Sequence, residues 1–377
     1  MQILKLSVPF FASLCYCLSH TLDKHNNAST DQPSTLAQSS GIGFDLSLTH
    51  GAAVISHSNG SFTELARYEG SAEYKYIMQQ LSSYSSQHLH PPYDSTQDRL
   101  SDSTRQLKRK LRKFFGQPAS VEVGVIAELM EYLTFEVHYR TGRRVTQAAA
   151  AFPHLPGLYA EDISDVFDYL RIKEVPYWGD GDQRQLMSSV AVWGGSGHGL
   201  CKDYLNATAC RNEMIGMKPH LHWSIGLHDD ALEQAAGFAY SFESDVQRLD
   251  MSSVDYDMPF RRRDEDWYMI ILERKLMTFI ESIKGEWYIP GRSDGLVVQL
   301  YGQQKIGDRV VDVVNSALKK VWPRAHVVEV LDDLYIAAKG AAEWAKRHGE
   351  YESKPHYDRD WFESKATVVD QQALLYT

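Results

Sequence analysis

The feature that most constrains the fold is a pattern that occurs twice along the chain: a strand, a polar turn and two further strands. The first copy comprises three apolar runs, 41–49, 52–56 and 62–66. Asn59-Gly60 separates the last two runs, and Asn-Gly is a strong hairpin signal because a type I′ turn needs φ > 0 at both central positions. The second copy comprises the runs 221–228, 235–241 and 246–251. The repeat predicts two lobes of similar construction.

Helices and strands alternate after each copy. The predicted segments are a helix over 118–133, a strand over 145–152, a helix over 261–284, a strand over 295–301, a helix over 308–321, a strand over 326–331 and a final helix over 331–345. Such alternation favours largely parallel sheets with right-handed crossovers. A chain of 377 residues, 43% of them hydrophobic, is long enough for two cores.

This order of segments resembles the actin and heat-shock ATPase superfamily over most of the chain. Residues 117–155 are similar to the part of the seventy-kilodalton heat-shock ATPase domain in which a helix leads into a buried strand closed by a proline, here Pro153. The final helix has small residues where the family has them, at Ala338, Gly340, Ala341 and Ala342. The resemblance implies an α/β, actin-like (ribonuclease H-like) two-lobed ATPase fold, each lobe a mixed sheet flanked by helices.

The resemblance also implies a nucleotide cleft between lobe I (41–220) and lobe II (221–347). The implied nucleotide-binding residues are Asp45, Ser47, Thr49, Gly302, Gln303, Lys305 and Gly340. Asp45 would hold Mg²⁺, whereas Ser47 replaces the glycine that lets backbone approach phosphate. The second loop, 226–231, lacks the family's glycine cluster and contains two aspartates instead. The family's catalytic acid corresponds to Glu174 in one alignment register and to Gln185 in another.

Two functions remain open at this point. The first is a heat-shock-ATPase-like protein that binds ATP or ADP with Mg²⁺ and is at most a weak ATPase, because the phosphate loops are degenerate. The second is a nucleotide-independent pseudo-ATPase that serves as an extracellular binding or scaffold module, with a protein partner outside the cell.

The first 19 residues predict a secretory signal: one positive charge, a short apolar core and small residues at Cys17 and Ser19. We expect a disordered leader over 20–40 and a polar tail over 348–377. Removal of the signal leaves Cys201 and Cys210, which we expect to form a disulfide in an exported chain. Three glycosylation sequons begin at Asn27, Asn59 and Asn206. These features together predict a secreted glycoprotein.

The net charge of −10 opposes nonspecific attraction to nucleic acid, and no later segment is long and apolar enough to span a membrane. Residues 105–115 predict a basic amphipathic helix. Such a helix is typical of membrane-surface or anion-binding segments. Alternatively, its basic face is solvated and its apolar stripe enters the core. We expect the second arrangement, with the stripe in the core.

The glycine-rich residues 190–199 predict a flexible turn, and His220, His222 and His228 are expected to be structural or solvent-facing.

Overall fold

A computed structural model describes residues 40–177, 185–218, 220–239, 241–242, 247–287, 295–322 and 326–349. The strands are β1 Gly41–Leu46, β2 His50–Ser56, β3 Phe62–Glu69, β4 Gln147–Phe152, β5 Lys173–Glu174, β6 Leu186–Met187, β7 His220–Leu227, β8 Leu232–Ala239, β9 Gln247–Asp255, β10 Leu296–Gly302 and β11 His326–Leu331. The helices are α1 Ala72–Leu81, α2 Thr96–Ser101, α3 Ser103–Phe114, α4 Val121–Thr141, α5 Ala160–Leu170, α6 Ser188–Gly195, α7 Ala207–Gly216, α8 Asp266–Trp287, α9 Asp308–Val321 and α10 Ile336–His348.

The first sheet has the order β3-β2-β1-β4-β5, and β6 also pairs with β4. The pairs β1–β2 and β2–β3 are antiparallel, whereas β4 is parallel to β1, with Asp45 opposite Ala151. Helix α4 covers this sheet; Ser120 caps its start by accepting the Val123 N–H, and Gly142, with φ of 66°, ends it. Because β4 runs parallel to β1, the carboxyl ends of these two strands lie at the same edge of the sheet.

The second sheet has the order β11-β10-β7-β8-β9. Here too the first three strands in the chain, β7, β8 and β9, form an antiparallel meander, and β10 and β11 add in parallel beside β7. Both sheets therefore place their strands in the same order, third-second-first-fourth-fifth. This duplication, with helices flanking two mixed sheets, confirms the predicted actin-like two-lobed α/β fold.

Helix α10 follows the second sheet in the chain but packs against β1, β2 and β4 of the first sheet. Two glycines of β1 allow this contact. A Cβ on Gly41 would lie 2.1 Å from the Lys346 nitrogen, and a Cβ on Gly43 would lie 2.0 Å from the Ala342 nitrogen. Since non-bonded heavy atoms do not approach so closely, β1 requires glycine at both positions to accept the helix.

The expected position of the apolar stripe on the basic helix is wrong. In α3 the apolar side chains face outward: Leu107 is 58% exposed and Phe114 is 82% exposed, whereas Arg109 is only 6% exposed. The reason is an ionic contact with α5, in which Arg109 donates to Asp162 and Asp165, each at 2.7 Å. The ionic face, not the apolar stripe, is turned toward the protein.

The expected flexible turn at 190–199 is also wrong over its first half, because α6 continues to Gly195. Gly195 lies where α6 crosses α10, and a Cβ there would come within 2.1 Å of the Ile336 carbonyl oxygen. Gly195 therefore permits the close crossing of the two helices.

Several predictions fall outside the described residues: the signal at 1–19, the leader at 20–40 apart from Ser40, the tail at 348–377 apart from His348 and Gly349, and Asn27. Within the described residues, no helix has both the length and the apolar character needed to cross a bilayer.

Candidate functional site

The candidate site is the place where the carboxyl ends of β1, β7 and β10 meet the start of α10. In open α/β sheets, ligands bind beyond the carboxyl ends of the strands. The side chains and backbone that line it come from Asp45, His50, His228, Tyr301, Gly302, Asp333, Leu334, Ile336 and Ala337. The cavity left between them is about 10 Å³, which is room for one water molecule. Small-molecule pockets are typically about 300 Å³ or larger.

The turn between β1 and β2, the expected first phosphate loop, satisfies its own hydrogen bonds. The Ser47 N–H donates to the His50 carbonyl oxygen at 2.9 Å and closes the turn. The Ser47 Oγ accepts from the backbone N–H groups of Thr49 and His50, at 3.4 and 3.3 Å. Backbone N–H groups of such a loop are the donors that a phosphate would use. Here the hydroxyl of Ser47 occupies the acceptor position.

The same turn is covered by protein. Leu48 and Thr49 are both fully buried, and the Tyr74 hydroxyl on α1 donates to the Ser47 carbonyl oxygen at 2.6 Å. Ser47 Oγ also lies 2.7 Å from Nδ1 of His50. The side chains predicted to meet a triphosphate therefore pack against one another.

Burial keeps the charged forms of Asp45 and His50 scarce. Burial, with the negative charge of Glu233 adding to it and Arg67 opposing it, raises the pKa of Asp45 to about 8. Burial, together with the positive charge of Arg67, lowers the pKa of His50 well below its usual value. Although Asp45 Oδ2 and His50 Nε2 are 3.9 Å apart, both groups are neutral at pH 7, so the contact is not an ion pair.

The turn between β7 and β8, the expected second phosphate loop, is equally closed. The His228 N–H donates to the Ala231 carbonyl oxygen at 2.9 Å, and the Asp229 N–H donates to Gln303 Oε1 at 2.6 Å. The Asp230 carboxylate is paired with Lys75 of α1 at 3.3 Å and with Arg261. The donors and the carboxylates of this turn thus have partners within the protein.

A hydrogen-bonded group of side chains fills the space between the two turns. His228 Nε2 lies 2.9 Å from Glu233 Oε2, and the Tyr301 hydroxyl donates to the same oxygen at 3.2 Å. His228 and Glu233 are 2% and 4% exposed. The sequence assigned His228 a structural or solvent-facing role but did not indicate that Glu233 and Tyr301 would join it in this group. The available signal is a histidine directly before Asp229 and a glutamate at the second residue of β8.

Gly302, Gln303 and Lys305, which the resemblance assigns to the nucleotide, lie at the end of β10 and in the loop that follows it. A Cβ on Gly302 would lie 2.4 Å from the Leu227 carbonyl oxygen, so the glycine accommodates β7. Gln303 is 6% exposed and its amide reaches Glu69 at 3.4 Å, while Lys305 is exposed. Gly340 lies away from the turns, against α6, where a Cβ would come within 1.8 Å of the Ala191 carbonyl oxygen.

Neither alternative for the catalytic acid lines the cavity. Glu174, in β5, accepts a hydrogen bond from Ser164 Oγ at 2.8 Å, and burial raises its pKa to about 6. Gln185 is buried, and its Nε2 donates to the Leu158 carbonyl oxygen at 3.2 Å. Of the implied site residues, Asp45 and Gly302 line the cavity, and Ser47, Thr49 and Gln303 adjoin it through the contacts described above.

The arrangement does not fit a hydrated Mg²⁺–nucleotide. Mg²⁺ in proteins usually keeps several waters and is bound through ionised carboxylates and substrate phosphates. The cavity holds about one water, so neither the hydrated ion nor a triphosphate fits while the two turns keep their contacts. Asp45 Oδ1, which has no hydrogen-bond partner among the described residues, is an atom that a ligand could use once the turns had separated. Within the described residues, no group of three or more His, Cys, Asp or Glu side chains has the arrangement of a metal site.

The expected disulfide is confirmed: Cys201 and Cys210 are joined, with an S–S distance of 1.99 Å. Asn59 and Asn206 are both exposed. Asn206 caps α7 by accepting the Ala209 N–H. Their glycosylation, and that of Asn27, stays a prediction.

His222 and His228 are buried, with Gln299 and Glu233 respectively as partners.

No family model matches the sequence, and no curated protein matches it. Among solved structures, the ethanolamine utilization protein EutJ from Carboxydothermus hydrogenoformans is similar at 13% sequence identity, with a TM-score of 0.40, over 81% of this chain and 89% of that one. A likeness this distant carries nothing about the site. The fold rests on its own duplicated strand order, which makes this chain a two-lobed α/β protein of actin-like architecture.

Proposed function

We propose that this protein is a nucleotide-independent pseudo-ATPase, a domain that keeps the actin-like fold and serves as a binding or scaffold module. One observation carries the proposal: the Ser47 hydroxyl accepts the backbone N–H groups that a phosphate would otherwise receive. The neutral Asp45 and the cavity of about 10 Å³ support it. A bound triphosphate would have to displace hydrogen bonds of buried groups, which is unfavourable unless they are replaced.

The experiment is thermal unfolding of the wild-type protein in rising concentrations of ATP and ADP, with and without magnesium. A ligand that binds only the native state stabilises it by about 2.7 kcal/mol at one hundred times its Kd. We expect no saturable rise in Tm up to millimolar nucleotide. Saturable stabilisation in the micromolar range would overturn the proposal.

A second candidate function is binding of ATP or ADP, with Mg²⁺, in an opened form of the same cleft. It is favoured by the position of Asp45 and Gly302, which the resemblance assigned to the nucleotide and which both line the cavity. Opening would have to break the contacts that join the two lobes, such as the ion pair between Lys75 of α1 and Asp230 of the turn between β7 and β8. If wild type is stabilised by ATP and Asp45→Ala is not, this function replaces the first.

We also propose that the protein is exported and glycosylated. The joined Cys201 and Cys210 and the exposed Asn59 and Asn206 support export. The test is expression of the full chain in a secreting eukaryotic cell, followed by peptide mass spectrometry. We expect cleavage near residue 19 and glycans at the sequons; retention of the chain inside the cell, without glycans, would refute export.

A further inference from the structure

Helix α3 carries an apolar stripe on its outer side. Leu107, Leu111 and Phe114 follow one another at four-residue and three-residue spacing, and Phe115 lies directly after the helix. They are 58%, 49%, 82% and 71% exposed respectively. Residues at this spacing share one helix face, so the four side chains form a continuous apolar ridge.

The opposite face holds the helix in this orientation. Arg109 is buried and donates to Asp162 and Asp165 of α5, each at 2.7 Å. Arg105 pairs with Glu161 at 2.5 Å. Rotating the apolar ridge toward the core would leave the buried Arg109 and Asp162 charges without partners, which is strongly unfavourable. The outward ridge is therefore built into the fold.

Two lysines flank the ridge. At about 100° per residue, Lys108 and Lys110 project on either side of the line that joins Leu107 and Leu111. Both lysines are exposed, and no ion pair joins either of them to another residue in the described part of the chain. The ridge therefore has a positive charge on each side, in a chain whose net charge is −10.

The dimensions of the ridge distinguish between partners. A helix of 12 residues is about 18 Å long and about 10 Å wide, so its face covers on the order of 200 Å². A stable protein interface buries about 800 Å² on each partner. A single helix face is large enough to bind a bilayer. Such a helix lies in the plane of the interface, inserts its apolar side chains, and places its lysines against anionic headgroups.

We propose that α3 is a membrane-surface helix: Leu107, Leu111, Phe114 and Phe115 insert among the acyl chains of an anionic lipid surface, and Lys108 and Lys110 contact its headgroups. The proposal concerns a surface outside the cleft and does not depend on whether nucleotide binds. Since the protein is proposed to be exported, the anionic lipid surface is one that it meets outside the cytoplasm.

The experiment is flotation of the purified full chain with vesicles of phosphatidylcholine alone and with vesicles that also contain phosphatidylserine. We expect binding to the anionic vesicles and weakened binding at high salt. The double variant L111S/F114S should reduce binding at least about tenfold, and K108Q/K110Q should reduce it about twentyfold or more, since each lysine near an anionic surface contributes about fivefold.

The matched control is F135S/Y139S, which removes a stacked pair of exposed rings from α4 and should leave vesicle binding unchanged. All three double variants alter exposed side chains, and circular dichroism checks that each is folded. Equal binding to neutral and anionic vesicles, or an equal loss in the α4 control, would overturn the proposal. So would a wild-type dimer in light scattering that L111S/F114S converts to a monomer, since the ridge would then bind a second copy.

Discussion

Ser47 Oγ lies 2.7 Å from Nδ1 of His50 and accepts the backbone N–H of the same residue at 3.3 Å. These two contacts, made within one turn of four residues, replace the interactions that a phosphate loop would offer to its ligand. The donors of this turn are thereby engaged within the protein.

The variant Ser47→Gly tests the contribution of this turn. It restores the glycine expected from the resemblance, but it removes the nearest hydrogen-bond partner of the buried His50 ring and the hydroxyl that accepts two backbone N–H groups. We expect the free energy of unfolding to fall by about 1 to 3 kcal/mol, measured by urea denaturation. Ser58→Gly, in the exposed turn after β2, is the control for added backbone freedom. Equal effects of both changes would show that the Ser47 hydroxyl contributes nothing.

The pH dependence of stability should change in Asp45→Asn. The pKa of Asp45 is about 8 when folded and 3.8 in its ordinary state, so the unfolded chain releases this proton first. The stability associated with the protonated carboxyl is complete below about pH 4 and is lost as pH rises toward 8. An asparagine cannot ionise; the variant should therefore gain stability relative to wild type over that range, by at most about 6 kcal/mol.

Denaturation curves at several pH values between 4 and 9 measure this difference. The effect of His50 is present in both proteins and cancels. Asp94→Asn, at an exposed carboxylate, is the control for the loss of a negative charge. A flat difference for Asp45→Asn would mean that Asp45 is ionised in the folded protein.

Gly340→Ala should be strongly destabilising. The added methyl group would meet the Ala191 carbonyl oxygen at 1.8 Å, and two packed helix backbones cannot separate locally without loss of other contacts. We expect a loss of about 3 kcal/mol in thermal or urea unfolding. At Gly216, the last residue of α7, a Cβ would meet nothing within 4 Å, so Gly216→Ala should be neutral or slightly stabilising. A neutral Gly340→Ala would contradict the close crossing of α6 and α10.

Arg109→Met should unfold the protein more easily, because it leaves Asp162 buried without its cation. Asp162 is 5% exposed; burial raises its pKa, and Arg109 acts in the opposite direction. We expect a loss of about 3 kcal/mol, partly recovered in the double variant with Asp162→Leu. Lys110→Met on the exposed side of the same helix should change stability by less than about 0.5 kcal/mol. Similar effects of the two substitutions would show that the ionic contact does not orient α3.

Much of the fold follows from sequence because its signals are local. The strands at 41–46 and 50–56 follow from short apolar runs bounded by turn residues, and the helix at 308–321 follows from apolar residues at three- and four-residue spacing. The repeated meander implies the two lobes. The resemblance to the superfamily also assigns Asp45 and Gly302 to one cleft, and both line the observed cavity.

The orientation of α3 and the filling of the space between the two turns depend on residues that lie far apart in the chain. Arg109 meets Asp162 across 53 positions, and a hydrophobic pattern assigns the apolar face to the core without knowledge of such a partner. Tyr301 reaches Glu233 across 68 positions. Which side chains fill a cavity depends on tertiary packing, and single-sequence patterns do not contain that information.

Helix α10 has a consequence for how the protein is made. Its contact with Gly41 and Gly43 joins the first strand to a helix translated roughly 300 residues later, and contacts of such long sequence separation form slowly. The face of β1 that α10 covers thus stays exposed while the ribosome synthesises the whole second sheet. Until then a nascent chain exposes an apolar surface that chaperones can bind.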